Sequence, residues 1–462
     1  MSTQSSATAT VTALILAAGA GTRMKSDKPK VVHKVLGTPM IQLVVAAAGD
    51  AGCERILTIV GHKKEEVCAV LPPQVECVYQ AEQKGTADAV VVAADALKSS
   101  TGYLLVMCGD MPLLRPETLR QLIDVCHDRS MAVLTAQVDN PSGYGRIVRD
   151  STGSIAAIVE DKDATSEELA INEVNTGIYC FALDGLFERL AKIDNDNAQG
   201  EYYLTDMVKV CHAEGEAVIG LQLAEVEEAH GVNSRLQLSQ AGAILRKRIN
   251  TKWMEQGVSI VSPENTWISP DCELEHDIEI LPNTTIVRGT KIKSGSVIGP
   301  NTRIEAANIG ADCSVEDSII MQSTIGDRCT IGPYSYVRPN VTLGNEVKVG
   351  PSVEIKNSTV GDGSKIPHLT YIGDSILGEK VNVGAGTVTC NYDGIKKSKT
   401  IIEDGAFIGS STMLVAPLTV GKDAVTAAGS IIGEDVPADA LALARARQVN
   451  KDGWVSKNRT KE

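Results

Sequence analysis

Residues 274–304 read LEHDIEILPNTTIVRGTKIKSGSVIGPNTRI, and one aliphatic side chain returns every six positions: Leu274, Ile280, Ile286, Ile292, Ile298 and Ile304. Polar or small residues isolate each of them. An α-helix repeats every 3.6 residues and a simple strand every two, so neither produces this beat. A hexapeptide period marks a parallel β-helix, in which each unit is one short strand plus one corner and its large aliphatic points inward. Three such edges close a triangular coil of about eighteen residues, and coils stack at roughly the 4.8 Å strand spacing. After one five-residue step the beat is expected to resume at Ile325, Ile331, Val337, Leu343, Val349 and Ile355, and it returns at Ile402, Ile408, Leu414, Val420 and Ile432. Glycine often follows the aliphatic, as in Ile298-Gly299, Leu343-Gly344 and Val420-Gly421, where a corner needs backbone angles that bulky residues resist. An irregular glycine-rich β-sandwich would not hold repeats in phase over so many units. The beat breaks in earnest once, at Thr389–Thr400 (TCNYDGIKKSKT), where only Ile395 could face inward. A stack of coils accommodates such an insertion as a protruding loop, a place where function concentrates.

At 462 residues the chain is too long for one ordinary core, so two domains are expected. A net charge of -14 argues against a protein that grips nucleic-acid backbone. The eleven cysteines form no C-x-x-C pair, which fits reduced thiols in a cytoplasmic protein better than disulfides or zinc. No apolar run reaches membrane-spanning length. The first ten residues are small and polar without a positive n-region, so a disordered start is expected rather than a signal peptide.

Before the repeats, strand-like runs at Val11–Ala18, Arg55–Val60, Val75–Tyr79, Tyr103–Met107 and Met131–Val138 alternate with helical stretches at Met40–Ala51, Thr86–Leu97 and Glu117–Asp128. That alternation predicts an α/β domain with a mostly parallel sheet, whose ligands bind beyond the carboxyl ends of the strands. Gly19-Ala20-Gly21 and Cys108-Gly109-Asp110 both sit at that edge. The glycine loop has neither the Gly-Lys-Ser/Thr of a P-loop nor the third glycine of a dinucleotide fingerprint. It is either a plain strand-to-helix turn or, with Arg23 and Lys30 close behind it, a cradle for phosphate. Asp110 either caps the following helix or seats Mg²⁺ beside that phosphate. Leu236–Trp253 has helical spacing at Leu238, Ala241, Leu245, Ile249 and Trp253 and reads as a connecting helix.

Within the repeats, Arg338 follows Val337 and Lys356 follows Ile355, eighteen residues on, so the two cations fall at one point of consecutive coils. They are either solvated surface charges or a pair held by an anion between them. Only His276 and His368 occur after residue 260, about five coils apart, which argues against a three-histidine metal site of the carbonic-anhydrase kind built across a trimer. A single histidine such as His368 can still act as a general base.

The motif LAAGAGTRM from Leu16, with Pro29-Lys30, resembles the signature of sugar-1-phosphate nucleotidylyltransferases. GTADA from Gly85, GDMPL from Gly109, GYGRI from Gly143, EDKDAT from Glu160 and NTGI from Asn175 agree with it. Taken with the hexapeptides, the chain resembles, from Val11 to Trp454, the family of bacterial bifunctional N-acetylglucosamine-1-phosphate uridylyltransferase/glucosamine-1-phosphate N-acetyltransferases. The resemblance implies a Rossmann-like α/β uridylyltransferase domain over 1–235 and a connecting helix over 236–257. A left-handed parallel β-helix of hexapeptide repeats, the N-acetyltransferase domain with a short C-terminal tail, would occupy 258–462. It implies that Leu16, Ala17, Ala18, Gly19, Lys30, Gln80, Gly85 and Thr86 hold UTP, that Gly145, Glu160 and Asn175 hold the sugar, and that Asp110 and Asn233 bind Mg²⁺. Arg23 and Lys30 would neutralise the phosphates. In the second half His368 becomes the general base, Arg338, Lys356, Tyr371 and Asn382 bind glucosamine 1-phosphate, and Ala385, Asn391, Tyr392, Ser410, Ala428 and Arg445 contact acetyl-CoA. The family assembles as a homotrimer through the β-helix, with the insertion loop reaching across. The chain departs from the family pattern at Cys108, where tyrosine is usual, and at Ala87-Asp88, where Gly-His is usual. Pro367 and Arg447 are smaller local variations. Hexapeptide arrays in some nucleotidylyltransferases serve assembly alone, which leaves a single-activity enzyme with a structural β-helix as the alternative.

Overall fold

The computed structural model describes residues 10–19 and 21–459; residues 1–9 of the ten-residue start expected to be disordered, and Ala20 of the glycine loop, lie outside them. Contacts divide the chain into two compact units, Met1–Leu245 and Arg246–Glu462.

In the first unit the strand Val11–Ala17 lies at the centre of a sheet. It pairs in parallel with Arg55–Val60 on one side and with Tyr103–Cys108 on the other. The sheet continues through Glu76–Tyr79 at one edge. Toward the other edge come Glu173–Ala182, antiparallel to both neighbours, then Met131–Gln137 and Ile219–Gln222. Val11–Ala17 is apolar almost throughout because both faces are covered. Ala13 and Ile15 enter one core with Ile41, Val44, Leu119 and Leu122. Leu14 enters the other with Val90, Leu97, Leu186 and Met207. The chain runs outward from the central strand in one direction and then returns to its other side. This creates a switch point at the carboxyl ends of Val11–Ala17 and Tyr103–Cys108, where open α/β sheets bind ligands.

The structure refines the expected elements. The Thr86–Leu97 stretch divides into Thr86–Val92 and Ala94–Leu97. The strand Glu173–Ala182 is not among those expected: its register shifts between Asn175 and Tyr179, and Gly177 there has φ 79°, so the alternation that marks a strand is interrupted. The connecting helix runs over Arg235–Glu255, and the division between units falls inside it.

The second unit is a stack of short parallel strands in three sheets of eleven, ten and nine strands, which fits a left-handed β-helix. The first face runs from Ser259–Ile260 to Leu441–Ala442, the second from Trp267–Ile268 to Ile431–Ile432, and the third from Glu273–Leu274 to Leu418–Val420. The aliphatics of the beat are buried and stack on their equivalents: Ile280 on Ile298, Ile298 on Val315, and Val337 on Ile355. Five-residue steps are more frequent than the one expected. Ile309, Val315, Ile320 and Ile325 are all inward positions, so the beat shortens at three places between Ile304 and Ile325. Two further inward positions are threonines. Thr389 stacks beneath Leu414 and Thr426 on Ile408, each buried without being aliphatic. The insertion emerges between the strands Val388–Cys390 and Thr400–Ile402. Ile395 does not face inward; it is 92% exposed at the tip, where the Asp393 carboxylate accepts from the Ile395 and Lys396 amides.

Candidate active sites

The glycine loop leaves the central strand at Ala18 and bends through Gly21, in the left-handed region at φ 64°. A side chain at Gly21 would lie 2.5 Å from the Lys30 Cβ, so glycine here lets the Lys30 turn pack against the loop. Asp110 stands across the switch point, just past Gly109, whose amide donates to the Leu16 carbonyl at 2.9 Å. Lys30 Nζ donates to the Asp110 carboxylate. It also donates to the Asn233 side-chain oxygen at 2.9 Å, and Arg23 donates to that same oxygen at 2.9 Å. Four residues separated by up to 210 positions therefore meet at one point. Arg23, Asp110 and Asn233 line a cavity of about 340 Å³ together with Cys108, Gly143 and Thr176.

Asp110 and Asn233 offer a carboxylate and an amide oxygen, the hard donors that Mg²⁺ prefers, and a cationic ammonium already bridges the two. Among the described residues no group of three His, Cys, Asp or Glu side chains could hold a metal alone. Two protein oxygens suit an ion that keeps waters and completes its shell with substrate phosphates.

The neighbouring loop carries the other expected nucleotide contacts. Gly85 has φ 129°, and a Cβ there would meet the Tyr202 carbonyl oxygen at 2.4 Å, so the backbones are pressed together. Thr86 accepts from the Leu204 amide at 3.0 Å. Gln80 is buried, and its amide donates to Asp88 at 2.7 Å, so the departure at Asp88 serves to orient Gln80. The expected sugar residues also converge. A Cβ on Gly145 would lie 3.5 Å from the Glu160 carboxylate and 3.6 Å from the Asn175 Cβ. Burial raises the pKa of Glu160, opposed by a hydrogen bond from Thr205 at 3.3 Å. Burial likewise pushes the Cys108 thiol up to about 12, so at the tyrosine position of the family pattern stands a neutral, enclosed thiol beside the Gly177 carbonyl.

On the β-helix two columns form. His368, Ala385, Ser410 and Ala428 each stand two residues past an inward position (Ile366, Val383, Ile408 and Thr426) in successive coils of the first face, and so stack along one corner. The coils touch there: a Cβ on Gly384 would lie 2.5 Å from the Ser410 amide, and one on Gly409 would lie 2.6 Å from that of Ala428. The second column runs along the far edge of the second face. Arg338, Lys356 and Gly373 occupy it in consecutive coils. Arg338 is not bare; it donates to Glu354 at 2.7 Å. The Tyr371 hydroxyl and the Asn391 amide cover Gly373, where a Cβ would meet them at 2.4 and 2.8 Å. Asn391 and Asn357 both donate to the Asp374 carboxylate.

Sequence reasoning missed Lys397. This loop residue pairs with Tyr392 and brings its ammonium to Lys356, whose pKa it lowers as the foremost cause. Arg338, Lys356 and Lys397 thus gather positive charge at one edge. The broken beat at Thr389–Thr400 was the only signal for it. Not every expected residue joins these columns. Asn382 lies on the first face, in register with Lys365 and Phe407. Tyr392 is exposed on the loop, and Arg445 is exposed beyond the last strand.

Comparison with known proteins covers both units. Residues 13–201 match the MobA-like NTP transferase domain, and residues 321–449 match the GMPPB C-terminal domain. The chain is 47% identical over 448 residues to the bifunctional protein GlmU of Halalkalibacterium halodurans, covering 96% of this chain and 98% of that relative. The GlmU proteins of Shouchella clausii (47% over 449 residues, 96% of this chain and 99% of the relative) and of a Geobacillus species (48% over 447 residues, 96% and 97%) are similarly close. Such identity, continuous through both the α/β sheet and the stacked coils, admits one assignment: the chain belongs to the GlmU family of bifunctional proteins.

Proposed function

We propose that the chain converts glucosamine 1-phosphate to UDP-N-acetylglucosamine in two steps, acetyl transfer from acetyl-CoA on the β-helix and then UMP transfer from UTP on the α/β unit. Membership of the family makes it a bifunctional enzyme, an acetyltransferase and uridylyltransferase with small-molecule substrates, and sets aside the single-activity alternative. What carries the reading is that the cluster of Arg23, Lys30, Asp110 and Asn233 stands at the switch point of one unit while a row of cations stands on the scaffold of the other.

In uridylyl transfer the phosphate oxygen of N-acetylglucosamine 1-phosphate attacks the α-phosphorus of UTP, and pyrophosphate leaves. The protein forms no covalent bond, so its contribution is positioning and charge neutralisation. Leu16 to Gly19, Gln80, Gly85 and Thr86 hold the nucleotide; Gly145, Glu160 and Asn175 hold the sugar. Arg23 and Lys30 present positive charge to the oxygens where negative charge builds. Asp110 and Asn233 would hold Mg²⁺, which when bound neutralises phosphate charge.

In acetyl transfer the amine nitrogen of glucosamine 1-phosphate attacks the thioester carbon, the C–S bond breaks, and the coenzyme A thiol is released. An ammonium has no lone pair to attack with, so His368 takes the proton. Arg338, Lys356 and Lys397 hold the phosphate, with Tyr371 and Asn382 on the sugar. Ala385, Asn391, Tyr392, Ser410, Ala428 and Arg445 hold acetyl-CoA. Asn382 and Arg338 stand on different faces of one coil stack, which favours a site shared with a second chain. Phe407, Val425 and Leu441 form an exposed apolar row in the Asn382 column. Both features support a homotrimer through the β-helix. No described helix is long and apolar enough to cross a membrane. UTP and acetyl-CoA as substrates support a cytoplasmic location.

The test is two partial reactions. N-acetylglucosamine 1-phosphate with UTP and Mg²⁺ should release pyrophosphate without acetyl-CoA, and glucosamine 1-phosphate with acetyl-CoA should release thiol without UTP. Pyrophosphate release without thiol release would return the β-helix to a structural role.

A further inference from the structure

Lys30 and Asn233 meet at 2.9 Å although 203 residues separate them, and neither is held in place by that bond alone. Lys30 opens the short turn Lys30–Val32, which His33 closes by donating its amide to the Lys30 carbonyl at 3.2 Å. Asn233 sits just before the helix that begins at Arg235. Its loop is tied to the switch point by the Val232 amide, which donates to the Asp110 carbonyl at 2.9 Å. One side-chain contact joins the two segments directly behind the cluster: Arg235 Nη1 lies 3.1 Å from His33 Nδ1.

A guanidinium only donates, so His33 Nδ1 must accept and its proton must reside on Nε2. The ring is buried, its pKa is lowered by that burial and then by Arg235 and Lys28, and Nε2 finds no protein partner among the described residues. A neutral, half-satisfied imidazole is a poor way to fill a core that Val35, Met40 and Val232 fill well nearby. Its geometry does serve one purpose, since it couples the turn bearing Lys30 to the loop bearing Asn233.

We propose that His33 and Arg235 form a positioning clamp for uridylyl transfer, locking the Lys30 turn onto the Asn233 loop so that Lys30, Arg23 and Asn233 stay converged. This rests on the reading that those residues perform the transfer. His33 and Arg235 touch no reacting atom in it. They act as supporting partners do in other sites, where removal usually lowers activity by roughly 10–100-fold.

The experiment compares the parent with Lys30→Ala, His33→Leu, His33→Asn, Arg235→Leu and the double variant His33→Leu/Arg235→Leu, each checked for folding by circular dichroism. Lys30→Ala tests the underlying reading: a variant that keeps full pyrophosphate release removes the site assignment itself. Given its loss, His33→Leu and Arg235→Leu should each lower uridylyl kcat about 10–100-fold with KM for both substrates within about threefold. The double variant should be no worse than the poorer single, because either change opens the same clamp. Asparagine offers an acceptor near the place of Nδ1, so His33→Asn should stay within about threefold of the parent. Losses that multiply in the double variant, an Asn variant as impaired as the Leu one, or a folded Arg235→Leu with parental kcat would each overturn the clamp. Because Arg235 is exposed, its variant decides the matter even where His33→Leu fails to fold.

Discussion

Replacing Asp110 with alanine removes the single carboxylate of the Lys30, Arg23 and Asn233 cluster. The Lys30 and Asp110 side chains are 19% and 14% exposed, so the change leaves a largely desolvated ammonium with only the Asn233 oxygen. Breaking a fully buried pair costs about 3–5 kcal/mol. Here the remaining hydrogen bond and partial solvent access reduce the penalty to about 1–2 kcal/mol of stability, so the variant should remain folded. The kinetic loss should be larger. Removing one preorganised electrostatic group from a transition state costs about 10²–10³ in rate, and Asp110 is also the anionic ligand for the metal. Pyrophosphate release should therefore fall at least about 10³-fold, while acetyl transfer, followed by free thiol, should stay at the parental rate because its residues lie in the other unit. A folded Asp110→Ala protein that keeps pyrophosphate release within tenfold of the parent would refute the reasoning. So would equal loss of both activities.

Further expectations can be checked in the same assays. His368→Ala should lower acetyl transfer about 10²–10⁴-fold, the range for losing a general base, and leave uridylyl transfer untouched; acetyl transfer within threefold of the parent would make His368 a corner residue only. Lys397→Ala should raise KM for glucosamine 1-phosphate about tenfold, as loss of one charge-assisted hydrogen bond does, and an unchanged KM would remove the loop from the phosphate site. Glu160 carries a pKa raised chiefly by burial. A carboxyl raised on folding favours the fold below its unfolded pKa, and that contribution is lost as pH rises through the folded value. Glu160→Gln should therefore show a higher Tm than the parent near neutral pH, the gap closing on acidification, with sugar-nucleotide binding weakened about tenfold. A gap that widens toward acid pH would reverse the assigned sign.

The β-helix was legible because its interior admits one large side chain per six residues, and aliphatics such as Ile280, Ile298 and Val337 announce themselves among polar neighbours. What escaped were positions where the interior accepts something smaller or a corner closes a residue early. Thr389 and Thr426 are inward but not aliphatic, and the run Ile309, Val315, Ile320, Ile325 shortens the beat three times. The central strand and the glycine loop could be read from the apolar run that ends at Ala18. The convergence of Lys30 with Asn233 could not, because no periodicity connects residues 203 positions apart, and Asn233 was reached through family resemblance alone. Lys397 stayed hidden for a similar reason. The broken period located the loop, but the Tyr392–Lys397 bridge and the Asp393 turn that aim it depend on contacts within an irregular segment.

The measurement closest to the central claim is a single reaction containing the protein, glucosamine 1-phosphate, acetyl-CoA, UTP and Mg²⁺, repeated with each component omitted and read by mass spectrometry. The complete mixture should yield UDP-N-acetylglucosamine. Omitting UTP should leave N-acetylglucosamine 1-phosphate, omitting acetyl-CoA should leave glucosamine 1-phosphate unconverted, and omitting Mg²⁺ should stop the reaction at the acetylated intermediate. Formation of UDP-glucosamine with no acetylated product when all components are present would contradict the account, because the chain would then carry one activity and not two.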